Sequence, residues 1–322
     1  MQPQQQPRHR AERRWLLDTA AWRAAPDELR WLAALLPAED GAACLAYRSV
    51  DDQKRAVASR LLVRACCAEV LSLPWREVDI RRTRGRKPFC ANAGAPGRAA
   101  APNFNFNVSH EGDYVALACH PHLIVGVDVA APQALRHRGD APQRPLLDAL
   151  RALRPQLTER EWARVAGCAP DEAAAECAFQ QAWACKEAFV KARGDGLGFA
   201  PLSRIEVEAP QAGGGEGGAG AGGGGAAAAL AAQVSVDGAP LGRGWRFELR
   251  RLPRRHWAAV ALAPPSAVVD AWGEFRATLL QPQLEEAPLD GSPLPPPPFE
   301  LLTVADLLPH DAAGEYEARF GG

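Results

Sequence analysis

Positions 171–193 contain neither glycine nor proline, and Gly194, Gly196 and Gly198 follow closely. A stretch of that length closed by glycines predicts a long α-helix. A second long helix is predicted over 51–73. There Val57, Leu61, Leu62, Ala65 and Val70 recur mostly at spacings of three to five residues, which gives one apolar face. Asp51 and Asp52 suit the positive end of its dipole, and Pro74 ends it. Each helix precedes a group of short strands. The first group lies at 104–108, where apolar and polar residues alternate, then at 114–118 and at 123–129, the last apolar enough to be central. The second group lies at 205–207, 233–236, 245–249 and 257–262. A strand-like segment also opens the chain at 13–18, a short one is expected at 78–82, and Thr158 with Glu161 resembles a capping box. The order helix, strands, helix, strands predicts an α+β protein built from two similar halves.

The chain of 322 residues divides accordingly. Residues 1–14, Gln-rich and basic, are expected to be a disordered terminus without the apolar core of a secretory signal. Their arginines leave organelle import open, although Trp15 and Trp22 mark the start of the fold. Residues 15–130 form the N-terminal subdomain and 131–265 the C-terminal one. The second is interrupted at 211–229 by a tract of almost pure glycine and alanine that cannot bury a core. Residues 266–322 are a Pro-rich extension whose apolar patch at 299–308 is expected to dock back onto the body. Lysine and arginine total 37 against 38 acids, a net charge of −1, which argues against a nucleic-acid binder. No apolar run reaches the ~18 residues of a membrane span. Eight cysteines without a CxxC pair point to reduced thiols, hence to an intracellular, cytoplasmic protein.

Residues able to carry chemistry gather in four places. Asn107, Ser109, His110 and Glu111 fall in a polar turn between two strands, which by itself reads as a hairpin loop. Asp128 stands in the apolar strand Val125-Gly126-Val127-Asp128-Val129. A carboxylate there is costly unless paired or bound to metal, and Gly126 on the same side would admit a ligand; the alternative is an outward-facing residue on an edge strand. Glu187 and Lys191 share a helix face at i and i+4. That alone describes a surface ion pair, but Phe179, Trp183 and Phe189 make the helix largely buried. The fourth place is the run Arg81-Arg82-Thr83-Arg84-Gly85-Arg86-Lys87, which can hold phosphate. Basicity that is local rather than global favours a small phosphorylated ligand over a polymer.

Taken together, Asn103-Phe104-Asn105-Phe106-Asn107-Val108-Ser109-His110, then Val125-Gly126-Val127-Asp128-Val129, then Trp183-Ala184-Cys185-Lys186-Glu187-Ala188-Phe189-Val190-Lys191 with Gly196-Leu197-Gly198-Phe199, resemble the 4′-phosphopantetheinyl transferases of the large, pseudo-dimeric type. Within that superfamily the chain is most similar to the broad-specificity eukaryotic enzymes. The resemblance runs from about Trp15 to Leu262; the Gly/Ala tract is extra. It implies two α/β subdomains in a pseudo-twofold arrangement. It also implies transfer of phosphopantetheine from coenzyme A to a serine of an apo acyl or peptidyl carrier protein, that is, holo-[acyl-carrier-protein] synthase activity.

On the same resemblance, Asp128 and Glu187 are ligands of Mg²⁺, with Glu111 as a third contact, direct or through water. Glu187 is also a general base, and Lys191 stabilises the pyrophosphate and leaving group. His110, with Ser109 and Asn107 beside it, contacts phosphate. Arg82, Arg84, Arg86 and Lys87 grip the adenosine and its 3′-phosphate. Arg48, Lys54 and Arg55 are alternative further contacts to that phosphate. Bacterial members often carry an acid where this chain has Ala130, and the turn Gly85-Arg86-Lys87-Pro88 holds one cation more than the usual pattern. A monomer is expected, with no nucleic-acid or membrane partner. The competing readings are a non-catalytic coenzyme A-binding protein with a decayed site, against which intact Asp128, Glu187 and Lys191 speak, and an RNA-binding protein. The resemblance covers fatty-acid, polyketide, lysine-pathway and mitochondrial carriers alike and selects none of them.

Overall fold

A computed structural model describes residues 11–132, 145–210, 228–242, 244–285 and 296–321. The terminus before residue 11 and the glycine/alanine tract over 211–227 lie outside them. The first half carries β1 (Arg13–Asp18), α1 (Pro26–Ala34), α2 (Ala38–Leu45), α3 (Val50–Leu71), a hairpin of β2 (Ile80–Arg82) and β3 (Pro88–Cys90), then β4 (Asn105–Glu111) and β5 (Tyr114–His120). After β6 (Ile124–Ala130) come α4 (Leu146–Arg151), α5 (Glu159–Gly167), α6 (Glu172–Arg193), β7 (Ile205–Glu208), β8 (Leu230–Val236), β9 (Ala239–Pro240), β10 (Arg246–Arg251) and β11 (Trp257–Ala263). The chain closes with β12 (Glu300–Leu302) and α7 (His310–Phe320).

Local chemistry sets the helix ends. Ser49 accepts the Asp52 amide at the start of α3, and Asp171 accepts the Ala174 amide at 3.0 Å at the start of α6. Gly194, in the left-handed region at φ 86°, ends α6, a conformation that favours glycine. Thr158 and Glu161 form the expected reciprocal capping box on α5. Glu161 is used twice more, accepting the Val207 amide at 2.9 Å and pairing with Lys186 at 2.6 Å.

Two sheets stack face to face between two layers of helix. The first has the order β12-β1-β5-β4 and the second β6-β11-β10-β8-β7. Strand alternation sorts the side chains. Trp15, Leu17, Val115, Leu117 and Cys119 face α3, where Leu61, Leu62 and Cys66 complete the first core. Leu16, Tyr114, Ala116 and Ala118 point the other way and meet Val125, Val127 and Val129 of β6 and Ala258, Val260 and Leu262 of β11 between the sheets. Ala259 and Ala261 face outward to Ala184, Cys185, Ala188 and Phe189 of α6. Each half therefore places one 22-residue helix on the outside of its own sheet, the two-part α+β design expected.

Three placements depart from the sequence reading. Strand β6, counted with the first subdomain, pairs along its whole length with β11 and forms an edge of the second sheet. The body starts before Trp15: Ala11 and Arg14 are buried and β1 begins at Arg13, because Ala11 joins the first core and Arg14 pairs with Glu12 and Glu248. Asn107, Ser109, His110 and Glu111 are strand residues, with the turn confined to Gly112 and Asp113. The patch at 299–308 does dock: β12 pairs in parallel with β1, and Val304 and Leu307 enter the first core.

Candidate active site

Where the stacked sheets adjoin, side chains of β4 meet the free edge of β6 in a ladder. Asn105 and Asn107 accept the amides of Val125 and Val127 through Oδ1 at 2.8 and 2.9 Å. Ser109 Oγ accepts the Val129 amide at 3.3 Å, and Glu111 Oε2 accepts the Ala131 amide at 2.7 Å. Every second residue of β4 thus satisfies an edge amide of β6 that has no strand partner there. Asn107 is buried in this role, its acceptor oxygen engaged inside the protein.

Gly126 and Asp128 lie on the opposite side of β6, toward α6. The expected close approach at Gly126 is made by the helix and not by a ligand: a Cβ there would run into the Ala188 carbonyl and the Ala192 backbone. That proximity lets α6 lay its last turns against β6. Lys191 Nζ comes to 2.5 Å from Asp128 Oδ1 and donates to Ser109 Oγ at 2.8 Å, while Ser109 donates to Asp128 Oδ1 at 2.9 Å. Asp128 is 6 % exposed. Burial raises its pKa in spite of Lys191. Glu187 is raised by burial and then by the charge of Asp128. Glu111 is pushed up to about 7, again chiefly by burial, with Asp128 and Glu187 adding repulsion. Glu187 makes no hydrogen bond or ion pair with a described residue.

His110 alternates to the α3 side of β4. Desolvation, then the cations of Lys191, Arg55 and Arg60, hold its pKa below the ordinary 6.5. Of the three alternatives near the first helix, Arg55 is the one beside the site, donating to the Gly112 carbonyl at 3.0 Å. Lys54 is buried against Asp51 and Arg48 is exposed. Arg60 was not foreseen. It reaches both His110 and Arg82 electrostatically, and Arg86 adds to the same field at Arg82. No local signal marks Arg60, since its place beside His110 depends on one face of β4 meeting α3. Arg82, Arg84 and Arg86 present exposed side chains. Lys87 does not join them: it is buried, and its ammonium donates to the Val125 and Lys191 carbonyls.

Among the described residues no group of three or more His, Cys, Asp or Glu side chains is arranged to hold a metal unaided. The donor set nevertheless fits a hard divalent cation that takes further oxygens from a ligand. Asp128, Glu187 and Glu111 would supply oxygens; burial raises the pKa of each, and Asp128 adds repulsion at the other two in spite of the nearby Lys191. Acids beside one ammonium are thus bordered by the cations Arg55, Arg60, Arg82 and Arg86.

Comparison with known proteins agrees. Residues 20–122 match the family model described as 4′-phosphopantetheinyl transferase, N-terminal, and residues 124–258 the 4′-phosphopantetheinyl transferase superfamily. The chain is 32 % identical over 254 residues to L-aminoadipate-semialdehyde dehydrogenase-phosphopantetheinyl transferase of Pongo abelii, covering 78 % of this chain and 75 % of that one. It is 31 % identical to the Homo sapiens protein of that name over the same shares. It is 30 % identical over 260 residues to the phosphopantetheinyl transferase of Thraustochytrium sp., 80 % of each chain. The chain belongs to the 4′-phosphopantetheinyl transferase superfamily, whose members draw on coenzyme A, and its reaction is transfer of phosphopantetheine to carrier proteins.

Proposed function

We propose that the protein is a Mg²⁺-dependent holo-[acyl-carrier-protein] synthase that modifies a serine of an apo acyl or peptidyl carrier protein. The observation that carries this reading is the contact of Lys191 with Asp128 and Ser109, one helical turn from Glu187. Asp128 and Glu187 would hold the ion, with Glu111 beside them. The bound ion would neutralise the pyrophosphate of coenzyme A.

The chain's own residues do the rest. Glu187, one helical turn from Lys191, takes the proton of the carrier serine. The serine oxygen bonds to the phosphorus that carries pantetheine, and the bond from that phosphorus to the bridging oxygen breaks. Adenosine 3′,5′-bisphosphate leaves with the electron pair. Lys191 stabilises the charge that grows on the departing phosphate. Arg82, Arg84 and Arg86, with Arg55, Arg60 and His110 opposite, receive the phosphates of the nucleotide end. The attacking hydroxyl belongs to the carrier, so no nucleophile of this chain is called for.

The reading extends to a monomer in the cytoplasm. The described cysteines, all free, support a reducing compartment. No helix among the described residues is long and apolar enough to cross a membrane. Lysine-pathway and fatty-acid carriers are the first to assay, the former because relatives are named for aminoadipate-semialdehyde dehydrogenase. The protein is incubated with coenzyme A, Mg²⁺ and an apo carrier, and the carrier is weighed by mass spectrometry. A phosphopantetheine gain that chelator abolishes is expected. Coenzyme A binding without any gain would favour a decayed site instead.

A further inference from the structure

Lys87 belongs by sequence to the basic turn, yet it stands apart from the turn's charged surface. It is 4 % exposed, and its Nζ donates to the Val125 carbonyl at 3.0 Å and to the Lys191 carbonyl at 2.9 Å. The first carbonyl is on β6, three residues ahead of Asp128. The second belongs to the residue whose own ammonium holds Asp128. One buried head group therefore ties the β2–β3 hairpin to both elements of the acid–lysine centre.

The hairpin turn is itself tightly built. Thr83 accepts the Arg86 amide at 2.8 Å through its carbonyl and the Lys87 amide at 3.1 Å through Oγ1. Arg82 Nη1 donates to the Arg86 carbonyl at 3.1 Å. The turn also sits directly on the end of α6: a Cβ on Gly85 would collide with the Gly194 carbonyl, and one on Gly196 with the Gly85 carbonyl. Only glycines allow the two backbones to come this close. A ligand phosphate seated among Arg82, Arg84 and Arg86 is thereby referred to the end of α6.

We propose that Lys87 is a positioning residue that clamps the arginine turn to the Asp128–Lys191 centre, fixing the separation between the cations that hold the 3′-phosphate end of coenzyme A and the groups that hold its pyrophosphate. The inference rests on the reaction proposed above. A clamp needs two N–H donors and no charge. Burial pushes the Lys87 ammonium down to about 7, and the neutral amine still carries two hydrogens. A direct phosphate contact would need the charge and an outward-facing head group. With the clamp closed, binding energy from the remote 3′-phosphate is spent on placing the pyrophosphate for reaction. With it open, that phosphate still binds but no longer aligns the reacting bond.

The test compares kcat/KM for coenzyme A and for 3′-dephospho-coenzyme A, with one apo carrier, in the wild type, Lys87→Met and Lys87→Gln, alongside thermal melts. The wild type prefers coenzyme A. Lys87→Met loses about tenfold or more of that preference, because misplacement by roughly 1 Å costs up to ~100-fold in rate. Lys87→Gln, uncharged but with two N–H donors, keeps most of it. A general loss of stability would lower both substrates alike. The proposal is overturned if Lys87→Gln is as damaging as Lys87→Met, if Lys87→Met leaves the preference intact, or if the wild type has no preference. Should Lys87→Met fail to fold, Lys87→Gln decides alone: a retained preference supports the clamp and a lost one removes it. A wild type inactive with coenzyme A itself overturns the reaction, and the clamp's role falls with it.

Discussion

Lys191 Nζ lies 2.5 Å from Asp128 Oδ1, and this contact joins the last turns of α6 to the edge strand beneath it. The motif that supplies Lys191 supplies a second lysine, Lys186, with a different fate. Its side chain is 0 % exposed, pairs with Glu161 at 2.6 Å and donates to the Gln156 and Leu202 carbonyls, each at 3.0 Å. Within one turn and a half of the same helix, one lysine is locked into the fold and the other, partly exposed, reaches Asp128 and Ser109.

The two lysines should separate cleanly on substitution. Lys191→Met is expected to lower kcat by ~10²–10³ with a smaller change in KM for coenzyme A, as loss of a preorganised cation at the leaving group does. Its melting temperature should fall less than that of Lys186→Met, since Lys191 is 28 % exposed and Ser109 still donates to Asp128 when that buried carboxylate loses its ammonium partner. Lys186→Met should do the reverse. It strands Glu161 as an unpaired buried charge, a class of change that costs ~3–5 kcal/mol. Steady-state kinetics and denaturant melts on both variants decide, and a Lys191→Met protein with normal kcat would reduce the pair to a structural bridge.

Asp128→Asn should abolish detectable transfer while leaving the melting temperature unchanged or slightly raised near neutral pH. Burial raises the pKa of Asp128, so its charge is carried at a cost to folding. The amide keeps the shape, and Lys191 can turn to water. Transfer is read by the mass of the carrier. Near-normal turnover at saturating Mg²⁺ would remove Asp128 from the centre.

Stability without metal should fall as pH rises through the neutral range. Glu111 is raised from 4.5 to about 7, so between those values the folded protein binds a proton that the unfolded chain has released. The stabilisation is complete below the unfolded value and is lost as pH passes the folded one. Glu187 and Asp128 shift in the same direction. His110, held below 6.5, acts in the opposite sense at lower pH, so the informative quantity is the difference from a variant. Melts of wild type and Glu111→Gln from about pH 5 to 8 should converge at the acid end and diverge toward neutrality, with the variant the more stable. Parallel curves would show that Glu111 is ionised throughout.

Gly126→Ala should be strongly destabilising. The added methyl meets the Ala188 carbonyl and the Ala192 backbone, neither of which can swing aside as a side chain would. Overpacking of this kind costs at least ~1–3 kcal/mol, and pushing α6 off β6 also separates Lys191 from Asp128. Urea denaturation should show a lower midpoint together with reduced transfer. A fully stable variant would mean that helix and strand are less closely seated than described.

Much of the architecture was written locally. Asp171 and Gly194 bound α6, Thr158 and Glu161 cap α5, and alternation marks the strands, because these signals act between residues within a turn or two of one another. The same short range put Glu187 and Lys191 on one face, and the apolar neighbours of Asp128 announced that its charge needs a partner. The sequence by itself thus determined the two helix-and-sheet halves and the family, and it named the acids and the lysine that the proposed mechanism uses. What it did not determine is which edges meet. Strand β6 joins the second sheet, and four side chains of β4 accept the amides along its free edge, because no further strand pairs with that edge. That encounter turns Lys87 inward, fills the space over Gly126 with helix and brings Arg60 to His110. Hydrogen-bond demand and close packing across the seam made those choices, and both act between residues far apart in the chain, where no periodicity or spacing reports them.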